Sequence, residues 1–229
     1  MSVITISRQY GSGGDEVADR LCEILGYKHF DKGQIDQAAV ESGLTGQRIV
    51  DYSEDNYQFQ SFFDRLFGQA TSMAQMMAWM EGPGYYSDSR KTGLMEDDAI
   101  ALVQRAILTA YRVGNMVIVG RGGQVMLRNY PHVLHVRIEA PLELRIQRVI
   151  RQLAQENKTD QEKQQSARDL IQKRDIASAQ YIQTFYNADW KDMMFYHSLL
   201  NLGLLSVEQA VQAIIAMLQQ LEGGAIARN

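Results

Sequence analysis

Short β-rich segments alternate with helical segments along most of this 229-residue chain. The segments 3–6, 116–119 and 132–138 are predicted to be strands. The run from Met116 to Val119 is apolar throughout, which is typical of a strand that is buried on both faces. Because a repeated strand–helix order places helices on both faces of a parallel sheet, the sequence predicts an α/β fold with a doubly wound, five-stranded parallel sheet.

Several residues mark where the predicted helices begin and end. A helix is predicted over 15–25, and Gly26 ends it. Pro141 opens another helix, because proline is favoured at the first helical position. Ser206 and Gln209 form the Ser-x-x-Gln pattern of a capping box before the last helix. These signals agree with the alternating order of strands and helices.

Composition limits the possible partners. The formal net charge is −4 and the pI is about 5.6, so there is no overall positive field to attract nucleic acid. No run approaches the ~20 apolar residues of a membrane span, and the N-terminus does not resemble a signal peptide. We therefore expect one cytoplasmic domain with no nucleic-acid or membrane partner.

The sequence indicates structural rather than catalytic roles for the methionine-rich stretch and for the histidines. The stretch 59–86 is rich in methionine and aromatic residues, which favours helix packing or a contact in a homodimer. The histidines show no spacing typical of metal ligands and are expected to be structural; they are His29, His132, His135 and His197.

A glycine-rich turn follows the first predicted strand in "ISRQYGSGGDEVADRL". It joins a strand to a helix, and backbone N–H groups at such a helix N-terminus bind phosphate without any side chain. The predicted phosphate-binding loop consists of Gly11, Ser12, Gly13 and Gly14. The alternative interpretation is a tight turn that binds no ligand.

The turn departs from the usual Walker A pattern, G-x-x-x-x-G-K-[ST]. With Gly13 as the second glycine, Arg8 stands at the first glycine, Gly14 at the lysine and Asp15 at the Ser/Thr position. The lysine normally neutralises the β- and γ-phosphates. Arg8 could supply the missing charge, whereas Asp15 could touch a metal through water but would repel a bare phosphate.

The wider sequence resembles a known family. The segments "ITISRQYGSGGDEVADRLCEILGY", "FDKGQID", "VIVGRGGQVML", "LHVRIEAPLELRIQRV", "IQKRD" and "LNLGLLSVEQAV" occur in this order. Together they resemble the cytidylate kinase-like family, a branch of the nucleoside monophosphate kinases in the P-loop NTPase superfamily. The resemblance implies one P-loop kinase-like domain over 1–229, with a helical acceptor-binding insert at about 34–96 and a lid at about 145–180.

The resemblance assigns roles to residues around the predicted cleft. The family's loop reads S-R-x-x-G-S-G-G, so the absent lysine is a family trait. Arg121 in "VGRGG" matches the arginine of the family's Asp-Gly-Arg-Asp, and Gly122 replaces the second aspartate. Asp31 resembles the start of the acceptor-binding region. Arg174 and Asp175 match a pair that contacts phosphate and cytosine.

Arg145 and Arg148 match the lid arginines of the family. They lie three residues apart on a predicted helix and therefore share a face. A further arginine usually follows the matched Asp175, but the stretch 176–179 has none. This absence weakens the predicted cationic clamp of the lid.

The resemblance implies phosphoryl transfer from ATP, with Mg²⁺, to a nucleoside monophosphate such as CMP or dCMP. This reaction needs alignment and positive charge more than covalent help, and arginine matches phosphate oxygens in a bidentate way. We expect Arg8, Arg145 and Arg148 to be catalytic, although Arg145 and Arg148 could instead be surface residues on a helix near Glu143. Two alternatives stay open: a nucleotide-binding or regulatory protein with little transfer activity, and a kinase for another small acceptor.

Overall fold

The computed structural model describes residues 1–30, 96–153 and 159–226. Asp31, the stretch 59–86 and almost all of the predicted insert lie outside these residues. None of the helices described is long and apolar enough to cross a membrane.

Strands and helices alternate in the described residues, as the sequence predicts. The strands are β1 (Val3–Arg8), β2 (Lys28–His29), β3 (Met116–Val119), β4 (Val133–Glu139) and β5 (Ser198–Asn201). The helices are α1 (Gly14–Leu25), α2 (Glu96–Val113), α3 (Gly123–Met126), α4 (Leu142–Gln152), α5 (Asp160–Tyr186) and α6 (Val207–Ile226). A short 3₁₀ helix, Met193–Phe195, precedes β5.

The strands form one five-stranded sheet in the order β2-β3-β1-β4-β5, and every pair is parallel. β1 lies in the centre, with Ile6 opposite Val119 of β3 and Val136 of β4. The prediction of a five-stranded parallel sheet is confirmed. Because β1 and β3 are neighbours, the loops that follow them leave the same edge of the sheet side by side.

Helices cover both faces of the sheet, which is the doubly wound arrangement. On one face, Ile4 and Ile6 of β1 pack with Leu21 of α1 and Ile214 of α6. On the other face, a second cluster joins the sheet to α2 and α3; it includes Val3, Ile118, Ile107 and Leu127. All of these side chains are almost completely buried, so the hydrophobic effect holds both helical layers against the sheet.

The local signals in the sequence are confirmed at several helix ends. Gly26 ends α1 with a left-handed φ of 66°, and Pro141 is the N-cap of α4. The Ser206 hydroxyl accepts a hydrogen bond from the Gln209 N–H, and the Gln209 side chain accepts one from the Ser206 N–H. This reciprocal pair is the predicted capping box.

A polar group lies inside the sheet where His135 of β4 faces Thr5 of β1. Thr5 Oγ1 and His135 Nδ1 are 2.7 Å apart, and the His135 N–H donates to His197 Nδ1 at 2.9 Å. Burial, and then the nearby His197, lower the pKa of His135 from 6.5 to about 4. His135 is therefore neutral at pH 7, which agrees with the expected structural role.

We expect the folded state to lose stability in acid because of His135. Its pKa is about 4 in the folded protein and about 6.5 in the unfolded chain. The unfolded chain therefore binds more protons between these values, and the free energy of unfolding falls as the pH decreases through this window. The loss is on the order of 3 kcal/mol and is complete below about pH 4.

Urea unfolding at pH 7 and pH 4, each in the parent and in His135→Gln, measures this contribution. In the variant, the difference in unfolding free energy between the two pH values should be smaller by about 3 kcal/mol. His132→Asn is the matched control, because His132 is exposed and has a φ of 58° that asparagine tolerates. A His135→Gln protein with the full pH dependence of the parent would contradict the assignment.

Candidate active site

Two loops meet at the carboxyl edge of the sheet, where ligands of such folds bind. The glycine loop (Gly11–Gly14) follows β1, and the Arg121 loop (Gly120–Gly122) follows β3. They begin side by side, since the Gly120 N–H donates to the Ile6 carbonyl at 2.9 Å. Parallel strand pairing therefore places the predicted phosphate-binding loop beside Arg121.

The glycine loop has the backbone expected of an anion-binding turn. Gly11 and Gly13 have left-handed φ values of 74° and 92°, and the Ser12 N–H donates to the Gln9 carbonyl at 3.1 Å. Gly13 is the N-cap of α1, and no side chain caps this helix. The first N–H groups of α1 are therefore available to an anion.

Ser12 adds a polar group to the same loop. The residue is fully buried, and its Oγ makes no hydrogen bond within the described residues. A buried hydroxyl without a partner is costly. A phosphate group bound at this turn is one ligand that would satisfy it, so the loop fits the phosphates of a nucleotide.

Arg8 occupies the space that a Walker lysine would enter. A Cβ at Gly14 would lie 2.6 Å from the Cβ of Arg8, so no side chain fits at this position. The Arg8 side chain is mostly buried, and its Nε lies 3.0 Å from the Oδ1 of the exposed Asp15. The structure thus places Arg8 at the loop, as predicted, but in an ion pair with Asp15.

The predicted lid arginines contact the backbone of the glycine loop region. Arg145 Nε donates to the Tyr10 carbonyl at 2.8 Å, and Arg148 Nη1 donates to the Ser12 carbonyl at 2.5 Å. Arg145 is almost completely buried. In this structure Arg145 therefore holds the loop in place, whereas the half-exposed Arg148 borders the loop near Gly13.

Asp175 of α5 completes the attachment. Its Oδ1 accepts from the Tyr10 N–H at 2.9 Å, and its Oδ2 lies 2.5 Å from Arg145 Nη2. Arg145 and Asp175 thus bind both sides of Tyr10, and we call these two side chains the Tyr10 clamp. The Arg174 guanidinium lies over the Tyr10 ring, 5.5 Å from its centroid. These contacts join α4 and α5 to the loop after β1.

The Arg121 loop has an unusual backbone. Gly120, Arg121 and Gly122 all have left-handed φ values, of 66°, 59° and 74°. The Arg121 guanidinium lies 5.2 Å from the centroid of the Phe30 ring and within 3.5 Å of the Phe30 carbonyl. Arg121 therefore connects the ends of β3 and β2.

Sequence reasoning missed three contributors around this edge. Tyr10 acts through its own backbone N–H and carbonyl, and Tyr186 acts through a hydroxyl that donates to the Arg121 carbonyl at 3.0 Å. Neither contact leaves a motif in the sequence. Arg137 of β4 is buried between Ser7, the Trp190 carbonyl and Glu139, with its guanidinium 4.3 Å from the Trp190 ring. The available signal for this last group was an arginine between Val136 and Ile138 in a strand with mostly apolar neighbours.

The comparisons with known proteins agree with this architecture. A model of the cytidylate kinase-like family matches residues 3–203. The chain belongs to the cytidylate kinase-like family. No curated protein matches the chain.

Solved structures share the fold of this family member. An uncharacterized protein from Eubacterium ventriosum ATCC 27560 has a TM-score of 0.61 and 17% identity, with 96% of this chain and 99% of that chain covered. A gluconokinase from Sinorhizobium meliloti 1021 has a TM-score of 0.50 and 10% identity, covering 100% of this chain and 97% of that one. The chain therefore shares its α/β fold, a five-stranded parallel sheet with helices on both faces, with these structures.

Metal ions in proteins are commonly held by clusters of His, Cys, Asp and Glu side chains. Within 1–30, 96–153 and 159–226, no group of three or more His, Cys, Asp or Glu side chains could hold a metal ion. Asp15 is the carboxylate nearest to the glycine loop in sequence, and it is paired with Arg8.

We expect the Tyr10 clamp to stabilise the fold. Asp175→Asn would leave the buried Arg145 guanidinium without its counter-charge, which costs about 3 kcal/mol. Urea unfolding measures this loss. The matched control is Glu143→Gln, which breaks a pair with Arg168 between the same two helices. Both of its side chains are largely exposed, so the expected loss is less than about 1 kcal/mol. Equal losses in the two variants would show that burial does not strengthen the clamp.

Proposed function

We propose that this protein transfers the γ-phosphoryl group of ATP to a nucleoside monophosphate, with CMP and dCMP as the first acceptors to test. The observation that supports this most is the family match over residues 3–203, together with a glycine loop that lies beside Arg121. A cytoplasmic location and a homodimer through the stretch 59–86 stay predictions.

The donor phosphates would bind at the glycine loop. Backbone N–H groups at the start of α1 and the Ser12 hydroxyl would donate to phosphate oxygens, and the α1 dipole favours negative charge there. Arg8 would replace the Walker lysine, because its side chain fills the space above Gly14. Binding in this way requires Arg8 to exchange its contact with Asp15 for a contact with phosphate.

Arg148 would stabilise the transferring group. It is half-exposed and already reaches the Ser12 carbonyl at the loop. Arg145 differs, because it is buried and engaged with Tyr10 and Asp175. We therefore assign Arg145 a positioning role that aligns the loop, which contributes to the rate through geometry rather than through charge.

The acceptor phosphate would bind between Arg121 and Arg174, with Asp31 nearby in sequence to the end of β2. Arginine forks match phosphate oxygens in a bidentate way. Asp175 was predicted from the resemblance to bind the acceptor. Both of its oxygens contact protein groups, which favours a positioning role in the Tyr10 clamp instead.

Mg²⁺ would neutralise charge on the donor phosphates. Kinases commonly bind it through one or two carboxylates together with phosphate oxygens and water. Asp15 is the candidate carboxylate, acting through water. The chemistry that the metal supplies is charge neutralisation, while the described side chains bind and orient the phosphates.

A nucleotide-binding protein with little transfer activity is the second candidate. The Arg8–Asp15 pair favours it, because a neutralised Arg8 attracts phosphate less strongly than a lysine would. A kinase for a different small acceptor is the third. It stays open because the described residues around Arg121 would bind any phosphate or carboxylate.

Phosphoryl transfer from γ-labelled ATP with Mg²⁺ to a panel of nucleoside monophosphates tests the proposal. We expect the label in CDP or dCDP. Gluconate and other phosphate-free acceptors belong in the same panel, because their phosphorylation would favour the third candidate. ATP binding without transfer to any acceptor would favour the second.

Arg121→Ala should weaken acceptor binding and leave ATP binding unchanged. Losing a bidentate contact to phosphate costs about 2 kcal/mol, or roughly thirtyfold in acceptor affinity. Calorimetric titration with CMP and with ATP measures the two affinities separately. Arg128→Ala is a control at an exposed arginine of the same chain segment. Unchanged CMP affinity in Arg121→Ala would refute the assignment.

Asp15→Asn should strengthen ATP binding, because it removes the carboxylate that pairs with Arg8 and repels phosphate. We expect about fivefold, since an exposed ion pair is worth ~1 kcal/mol. Arg8→Ala should weaken ATP binding by a larger factor than the gain expected for Asp15→Asn. If Asp15 instead serves the metal, Asp15→Asn would lower the rate with Mg²⁺ without raising the affinity for metal-free ATP. Full activity in Arg8→Ala would exclude Arg8 as the replacement for lysine.

A further inference from the structure

The Arg121 loop stores backbone strain. Arg121 has a φ of 59° and lies between two glycines that are also left-handed. Glycine adopts this conformation readily, but an arginine side chain does so at a cost. Such a conformation persists only where the surrounding structure holds it.

Hydrogen bonds hold the two ends of the loop. The Gly120 N–H donates to Ile6, and the Gly123 N–H donates to the Gly120 carbonyl at 3.1 Å. The Val125 N–H donates to the Gly122 carbonyl at 2.9 Å. These bonds leave the Arg121 carbonyl to a partner outside the loop.

Tyr186, the last residue of α5, is that partner. Its hydroxyl donates to the Arg121 carbonyl at 3.0 Å. Its ring covers Gly122 so closely that a Cβ at this position would lie 2.2 Å from Tyr186 Cε2. A side chain at position 122, such as the aspartate of the family pattern, would therefore collide with the ring.

The ring of Tyr186 has its own support. It packs in a cluster with the buried Tyr181 and Ile182 of α5 and with Val125 of α3. The ring centroids of Tyr181 and Tyr186 are 6.1 Å apart. The packing of the ring against these side chains thus fixes the position of the Tyr186 hydroxyl at the loop.

We propose that Tyr186 is a positioning residue that holds the Arg121 loop in its left-handed conformation and so directs the Arg121 guanidinium toward the acceptor. This inference rests on the proposed function, in which Arg121 binds the acceptor phosphate. The Tyr186 ring occupies the space that a side chain at position 122 would take.

Tyr186→Phe tests the inference, because it removes the hydroxyl and keeps the ring over Gly122. Two quantities are measured: amide hydrogen exchange of residues 120–126, and the affinities for CMP and ATP. We expect exchange about fivefold faster and CMP affinity about fivefold lower, the effect of one hydrogen bond, with ATP affinity unchanged. Tyr111→Phe is the matched control, since the Tyr111 hydroxyl also donates to a backbone carbonyl, that of Pro131.

The outcomes separate the inference from the proposed function. Unchanged amide exchange in Tyr186→Phe overturns the inference. Faster exchange in Tyr186→Phe with unchanged CMP affinity also overturns it, provided that Arg121→Ala has lost CMP affinity. Equal losses of CMP and ATP affinity overturn it as well, because they indicate a general structural role. If the parent does not bind CMP, or if Arg121→Ala binds it as the parent does, the acceptor assignment fails first and the inference falls with it.

Discussion

The contact on which the site depends is the attachment of the Tyr10 peptide to Arg145 and Asp175. A glycine-rich turn has many accessible conformations, and ordering it costs conformational entropy. Here the turn is joined to β1 on one side and to α1 on the other, while the Tyr10 clamp connects it to α4 and α5. The charges of the clamp are largely removed from water, so the loss of either partner would leave the other buried and uncompensated.

This arrangement divides the arginines at the cleft into two kinds. Arg145 is buried and serves the backbone of the loop, whereas Arg8, Arg121, Arg148 and Arg174 are only partly buried. The division matters because the Arg145 guanidinium is buried and already paired with a carboxylate, so its charge is largely compensated within the protein. The absence of a lysine has a steric reason, because the Arg8 side chain lies where the Cβ of a residue at position 14 would begin. A lysine at position 14 would therefore require a different residue, or a different conformation, at position 8.

The sequence predicted the fold well because its signals are local. Apolar runs indicated β3 and β4, Gly26 and Ser206 indicated helix ends, and the order of elements indicated a parallel sheet. Arg8 lies at the end of β1 and Arg121 lies in the loop after β3, while their roles stay predictions. It could not predict that Asp175 reaches Tyr10, because that contact depends on how α5 crosses α4. For the same reason Tyr186 was missed, since nothing near it in the chain indicates that it lies against Gly122.

One consequence concerns the length of α5. Asp175 binds the loop after β1, and Tyr186 binds the loop after β3, so a single helix spans the two loops. The two residues are eleven positions apart, which corresponds to about three turns and a rise of roughly 16 Å and places both side chains on one face. Inserting or deleting one residue between them would rotate one contact by about 100° relative to the other. The length of α5 between these two contacts is therefore constrained at both ends. Substitutions within this segment should be tolerated far more readily than insertions or deletions.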